Sequence, residues 1–353
     1  MEIIRGNSSI IEIIRGNNSI ILHYLTKMRH SIIKIFKADN YEKHVKLNKN
    51  TELFVFEDCV YDLQHDKFVK ANAQDYMNMS CGKIYNIGQR PVFGEKDTEV
   101  EKQEKSRKAL IVKAAIDTAK ENLKLFFQGI VNECDYDFFV KLLASFLRQG
   151  NKEEKGYFWL GRGRNGKGTT SEMLQNGLGN YWGELSMDYY TIHSKDIDRP
   201  NQNLYNCRNA RVLNSSEVNN EDAFNRPTSF ISSKFKGLTG QDVQTPREVG
   251  TKITASFKAG TVLIQLNGMP NFSKMELSLT ERIVVTEFPY SFTDDQELLL
   301  SDPIKYKMKD MSLKSKFAKE EYRIALIDIL FESYQEYKKD FTIKISTRST
   351  DNN

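Results

Sequence analysis

Apolar and polar residues change their spacing twice along this 353-residue chain, and each change predicts a different kind of structure. In "TELFVFEDCVYDLQHDKFVK", Thr51 to Lys70, apolar positions alternate around a turn at Gln64 to Asp66, which predicts a β-hairpin. The charge run "GEKDTEVEKQEKSRK", Gly94 to Lys108, reads as an exposed connection into a helix over about Ser106 to Phe127. A second helix, with Phe138, Phe139, Leu142, Leu143 and Phe146 on one face, is expected to end near Gly150. After Gly150 come short apolar runs between glycines and polar loops: "GYFWLG", "ARVLNSSE", "GTVLIQLNG" and "RIVVTEF". Such runs, separated by helical segments, predict a buried parallel sheet in an α/β domain. Beyond Phe292 the period is helical again, with Ile324, Ile327, Phe331 and Tyr334 on one face.

The expected division is a tail at 1–24, a small α+β or helical collar-like domain at 25–150, a nucleotide-binding α/β domain at 151–295 and a helical segment at 296–353. The tail repeats itself: "EIIRGNSSII" from Glu2 is followed by "EIIRGNNSII" from Glu12, with Ser8 against Asn18 as the one difference. Two ten-residue copies are too few for a solenoid, and their composition does not match a secretory leader. The polar end "STRSTDNN" is expected to be disordered.

No apolar run approaches the roughly 18–20 residues of a membrane helix, so no membrane partner is expected and an intracellular location is. Lys and Arg total 51 against 47 Asp and Glu, a net charge of +4 that places any phosphate-binding surface in local patches. Cys59, Cys81, Cys134 and Cys207 lie far apart, without the spacing of a zinc site, and fit reduced thiols.

The most informative stretch is "WLGRGRNGKGTT", Trp159 to Thr170. A buried strand, a glycine loop, a lysine and a helix follow one another, the order of a phosphate-cradling loop. Gly161, Gly163, Arg164, Asn165, Gly166, Lys167, Gly168 and Thr169 form the candidate ATP site. Glycines there let backbone N–H groups turn toward phosphate oxygens, the helix N-terminus adds its dipole, and Lys167 would neutralise the β- and γ-phosphates. Such loops usually continue with Ser or Thr to ligate magnesium, and Gly168 stands in that place. Magnesium is therefore expected to be held mainly by phosphate oxygens and water, with Thr169 as the substitute hydroxyl although it lies roughly 100° further round the helix.

Three further positions complete a hydrolytic site. Glu217 follows the strand in "LNSSE" and is the candidate base for the attacking water and a candidate metal contact, while Ser216 occupies the place of a paired acid. Asn267 leaves the strand "TVLIQL" at the edge where α/β sheets bind ligands, suiting a γ-phosphate sensor. Arg282 precedes "IVVTEF" and could offer its guanidinium to a neighbouring subunit's γ-phosphate.

In order, "GRGRNGKG", "LNSSE", "KGLTGQDVQTPR" (Lys236 to Arg247), "IQLNGMP" and "TERIVVTEF" resemble the superfamily 3 helicases of large DNA viruses, phages and plasmids. The likeness runs from about Leu53 to Pro289 and is nearest to the C-terminal half of poxvirus-type primase-helicases. It implies an AAA+ type P-loop ATPase that forms a ring, usually a hexamer, and unwinds DNA along one strand, in host cytoplasm or nucleus. It further implies ATP between subunits, with Lys167, Glu217, Asn267 and Arg282 as the working set. The resemblance also implies a channel hairpin at Thr245 to Gly260, with Gly250 as its turn and Lys252, Lys258 and Arg247 on single-stranded DNA. Phe257 is expected to pack into the core rather than stack on a base. Any primase or polymerase would be a separate partner. Two other readings are a DNA-binding scaffold ring that uses nucleotide only as a switch, and a small-molecule phosphotransferase. The finger-like Arg282 and the Lys236 to Arg247 block argue against the second.

Overall fold

The computed structural model describes residues 48, 50–72, 75, 77–86, 88–89, 97–191, 201–216, 229–250 and 253–340. The duplicated decapeptide, Glu217, Lys252 and the polar C-terminal end lie outside the described residues.

The alternating stretch near the start makes an antiparallel three-stranded sheet, β1 (Leu53–Val55), β2 (Val60–Asp62) and β3 (Lys67–Val69). The expected turn over Gln64 to Asp66 joins β2 to β3, and Asp66 adopts a left-handed φ of 55° there. The next helix, α1, spans Glu99–Ile130 and begins well before the expected Ser106. Its start is a capping box, in which Thr98 accepts from the Glu101 backbone N–H and the Glu101 carboxylate accepts from that of Thr98. The charge run is thus the first turns of the helix itself, where Lys102 pairs with Glu99 (2.7 Å) and Lys108 with Glu104 (2.8 Å). Helix α2 (Tyr136–Ser145) carries the expected apolar residues, and Phe139, Leu142, Leu143 and Phe146 have no exposed surface.

Next in the chain come β4 (Gly156–Leu160), α3 (Lys167–Leu178), β5 (Trp182–Glu184), α4 (Asp188–Thr191), α5 (Gln202–Asn206), β6 (Val212–Ser216), β7 (Ser229–Phe230) and α6 (Ser232–Thr239). The strands β8 (Val243–Gln244) and β9 (Phe257–Lys258) pair antiparallel; β10 (Thr261–Leu266), β11 (Asn271–Phe272), α7 (Leu277–Thr280) and β12 (Ile283–Glu287) follow. The four predicted apolar runs are β4, β6, β10 and β12, joined at one edge by the short β5 that the pattern did not show. All five are parallel, in the order β12-β4-β10-β6-β5. Apolar side chains cover both faces: Tyr157, Trp159, Val212 and Leu263 meet α2 and α3, while Phe158, Leu213, Val262 and Ile264 meet Phe235 and Leu238 of α6. This two-sided burial is why the strands read as continuous apolar runs.

The chain finishes with β13 (Ser291–Thr293), α8 (Gln296–Ser301), β14 (Tyr306–Met308), α9 (Leu313–Phe317) and α10 (Glu320–Asp340). The predicted stripe of α10 is buried, and it lies against α1, α2 and α3. Phe331 stacks on Tyr61 of β2 with ring centroids 3.7 Å apart. One apolar core therefore contains side chains from the β1–β3 sheet, α1, α2, the parallel sheet and α10.

Arg211, just before β6, ties these parts together. It has 1% of its surface exposed and donates to the Leu147 carbonyl after α2 and to the Leu53 carbonyl of β1, the latter at 2.6 Å. Its guanidinium lies 4.0 Å from the centroid of the Tyr181 ring. Burial pulls its pKa down, and the planar fork and the ring face compensate for lost water. Arg211→Met is expected to leave both carbonyls unpaired and to cost about 2–5 kcal/mol, read as a lower denaturant midpoint; an unchanged midpoint would contradict this role.

Candidate nucleotide site at the carboxyl edge of the sheet

Because β4, β10 and β6 run in one direction, their exits share one edge. Leu266 pairs with Leu160 and Gln265 with Ser216, so the glycine loop, Asn267 and the chain leaving Ser216 start side by side. The Gly161 N–H donates to the Leu266 carbonyl at 3.3 Å, which fixes the loop's first residue against the exit of β10.

Lys167 opens α3 and is 8% exposed. Its Nζ donates to the Gly161 carbonyl and to the Leu266 carbonyl (2.8 Å), holding the ammonium where the loop meets β10. Asn165 is 3% exposed; its Oδ1 accepts from the Lys167 backbone N–H at 3.4 Å, and its Nδ2 is buried with no protein acceptor. An orphaned donor beside a buried ammonium and a helix N-terminus makes a cradle suited to a polyanion. Gly166 has φ 94°, and a Cβ there would come within 2.7 Å of Ile130 Cγ2 at the end of α1. Arg164 also has a left-handed φ, 62°, and is kept in place by the Phe292 N–H donating to its carbonyl at 2.7 Å. Arg162 and Gly163 in the loop and Gly168 in the first turn of α3 are exposed.

Beneath this loop runs a polar chain, buried at Gln265, Asn214 and Trp182, that the sequence reading missed. Gln265 Nε2 donates to Ser171 Oγ (2.6 Å) and to Asn214 Oδ1 (2.7 Å); Asn214 Nδ2 donates to Glu184 Oε2 (2.9 Å), and Trp182 Nε1 donates to Glu184 Oε1 (2.6 Å). It links α3, one turn past Lys167, to β10, β6 and β5. Its signal was present: a glutamine and an asparagine interrupt the apolar runs "VLIQL" and "VLNSS" at inward positions.

The remaining candidates fall in different places. Asn267 is exposed at the exit of β10. Thr169 lines a cavity between α3 and α9, away from the sheet-facing side that carries Ser171. Gly168 offers no ligand, Ser216 only a hydroxyl, and no cluster of three or more His, Cys, Asp or Glu side chains able to hold a metal occurs among the described residues. These residues do not by themselves build a magnesium site.

Arg282 sits at the opposite edge of the sheet, where its carbonyl accepts from the Gly156 N–H at 2.7 Å. Its guanidinium reaches the Lys236 carbonyl (3.1 Å) and Thr239 Oγ1 (3.4 Å) at the end of α6, and Glu154 (3.5 Å). The length of β4, about 17 Å, separates this edge from the glycine loop of the same chain. The cation also satisfies a helix C-terminus. Nearby, Lys236 and Lys274 flank Glu276 and hold its carboxyl down to about 2.

The hairpin forms as β8 and β9, extended by a bridge between Arg247 and Thr254, with Gly250 at φ 77° in the turn. Lys258 is exposed on its arm and Arg247 is half-buried. Phe257 packs against the α6-side core, as expected.

No protein-family model matches the chain. Among curated proteins it is 27% identical over 211 residues to "Putative helicase V13" of Sputnik virophage, covering 56% of this chain and 25% of that protein. It is 26% identical over 203 residues to "Primase D5" of Fowlpox virus, covering 57% and 25%. "Uncoating factor OPG117" of Monkeypox virus matches at 26% identity over 211 residues, 58% and 26% of the two chains. The matched stretch is thus about a quarter of each relative. Among solved structures, the apo C-terminal region of NrS-1 aligns over 64% of this chain and 51% of its own, with a TM-score of 0.41 and 13% identity. Among the described residues no helix is long and apolar enough to cross a membrane.

Two neighbouring glycines give opposite expectations. Gly166→Ala should cost at least about 2 kcal/mol, from the left-handed backbone and the contact with Ile130. Nothing lies within 4 Å of a Cβ on Gly168, so Gly168→Ala should be neutral or stabilise by up to about 1 kcal/mol through helix propensity. Thermal melts of the two variants check both; equal melting temperatures would show that the loop geometry is wrong.

Proposed function

We propose that this relative of viral helicase and primase proteins is an ATP-driven DNA helicase of replication, built on an AAA+ type P-loop domain and working as a ring. The observation that carries the proposal is the cradle at the sheet edge: the buried Lys167 ammonium, the unpaired Asn165 Nδ2 and the N-terminus of α3 converge beside the exits of β10 and β6. The parallel order β12-β4-β10-β6-β5, with the glycine loop after β4, supports the same reading.

In this reading Lys167 exchanges its carbonyl partners for phosphate oxygens, and Asn165 and the loop N–H groups bind the same anion. Glu217 orients the attacking water and takes its proton, while Asn267 senses the γ-phosphate. Magnesium would accompany the triphosphate as its counter-ion. Arg282 cannot reach its own loop across the sheet, so a part in hydrolysis requires an adjacent chain. Exposed apolar residues on α1, among them Leu110 (67%) and Ile111 (60%), offer surface for such a neighbour. The β8–β9 hairpin would present Lys252, Lys258 and Arg247 to single-stranded DNA, holding phosphates without reading sequence.

The absent hydroxyl at Gly168 and absent acid at Ser216 favour one second reading, a ring that binds nucleotide as a switch and turns it over weakly or not at all. Steady-state hydrolysis separates the two. The helicase reading expects ATP hydrolysis that rises with single-stranded DNA and falls at least 100-fold in Lys167→Ala; tight binding without turnover would establish the switch.

Composite pockets make a separate expectation. Lys167→Ala and Arg282→Ala proteins should each be inactive alone and should regain part of the activity when mixed, because mixed rings contain some intact interfaces. Failure of any mixture to recover activity, with both variants still able to associate, would return Arg282 to a purely structural role at the end of α6.

A further inference from the structure

Polar side chains rarely interrupt strands buried on both faces, yet Gln265 in β10 and Asn214 in β6 do so, at 6% and 3% exposure. Both point to the α2 and α3 side of the sheet, because Leu263 and Val212, two positions earlier, pack there and side chains two apart in a strand share a face. Two positions later come Asn267 and Ser216, the second followed by Glu217. Helix α3 repeats the arrangement, since Ser171, which accepts from Gln265 Nε2 at 2.6 Å, lies one turn after Lys167. Two residues of strand advance roughly 6–7 Å and four residues of helix about 6 Å. Gln265, Asn214 and Ser171 thus form a polar layer one step beneath the candidate reactive groups.

Stability alone does not call for this layer. Apolar residues of similar shape would avoid desolvating two amides, and exchanging both partners of a buried hydrogen bond for apolar groups is close to neutral. What the amides supply is direction. Gln265 Nε2 gives its two hydrogens to two different elements, Ser171 Oγ on α3 and Asn214 Oδ1 on β6 (2.7 Å), so one planar group fixes the offset between them. Asn214 is itself aimed by donating to Glu184 Oε2 on β5 at 2.9 Å. Apolar side chains in these places would fill the space without fixing that offset.

We propose that Gln265 is a positioning residue for ATP hydrolysis, setting the lysine-bearing turn of α3 and the strand that leads to Glu217 at one offset from Asn267. This rests on the hydrolytic reading of Lys167, Glu217 and Asn267. The groups that would hold the phosphates, Lys167 and Asn165, lie above the layer, so its loss falls on turnover and spares binding. Misplacing the reacting groups by about 1 Å costs on the order of 100-fold in rate.

Full-length variants test it in three measurements: single-stranded-DNA-stimulated ATP hydrolysis, calorimetric binding of a non-hydrolysable ATP analogue, and the denaturant midpoint. Gln265→Met orphans the Asn214 amide oxygen and should lower the midpoint, with kcat down at least about tenfold and analogue affinity within about twofold of wild type. Adding Asn214→Leu removes the orphan, and Glu184, exposed at the sheet edge, takes water in place of the lost amide. The midpoint should then return while kcat stays at least about tenfold down. Ser171→Ala, at a half-buried site, breaks the α3 link alone and should show the same split between turnover and binding. Recovery of kcat with the midpoint in the double variant, an unchanged kcat in Ser171→Ala, or analogue affinity falling in step with kcat would overturn the positioning role with the hydrolytic reading intact. A wild type that binds the analogue and never hydrolyses ATP would overturn both.

Discussion

A single direction of travel governs this molecule: every strand of the five-stranded sheet runs the same way, and each exit is stitched to its neighbour by backbone hydrogen bonds. That constraint gathers the glycine loop, Asn267 and the chain beyond Ser216 at one rim. It sends Arg282, which precedes β12, to the other. The burial of both faces follows from it, since parallel strands require helical returns, and those returns are what cover Trp159 on one side and Phe158 on the other.

The loop is stiffened from three directions by groups that have no chemistry of their own. Ile130 closes on Gly166, Phe292 donates to the Arg164 carbonyl, and the Gln265 amide fastens α3 to β6 through Ser171 and Asn214. Each brace comes from a different part of the chain, so the cradle belongs to the whole core. Arg211 plays the matching part lower down, joining the β1–β3 sheet and α2 to the strand that leads toward Ser216.

Much of this was legible in the amino acids because apolar runs and glycine spacing are local signals. The four long strands, the apolar face of α2 and the stripe of α10 could be read directly, and the turn at Gly250 followed from the family resemblance. The start of α1 could not, because a run of alternating charges resembles a solvated link until the reciprocal cap of Thr98 and Glu101 is noticed. Strand β5 escaped since three residues, Trp182 to Glu184, are too short to show a period. For Gln265 and Arg211 the obstacle was different: their meaning depends on partners 94 and 158 positions away, which no window along the chain contains. In the site itself, residue types were readable but facing was not. Thr169 and Ser171 look equivalent in sequence, and the helix turns one toward the α9 cavity and the other onto Gln265.

The abutment of Ile130 on Gly166 has a mechanical side. Ile130 ends a helix of 32 residues, about 48 Å long, which is fastened to α10 by Lys120 with Glu332 and by Asn122 with Tyr322. A rigid rod pressed at one tip magnifies what happens there. A tilt of about 5° around that fastening would move the tip at Ile130 by about 1 Å and the far end near Thr98 by about 3 Å, so the rod enlarges a shift of the glycine loop by more than about twofold.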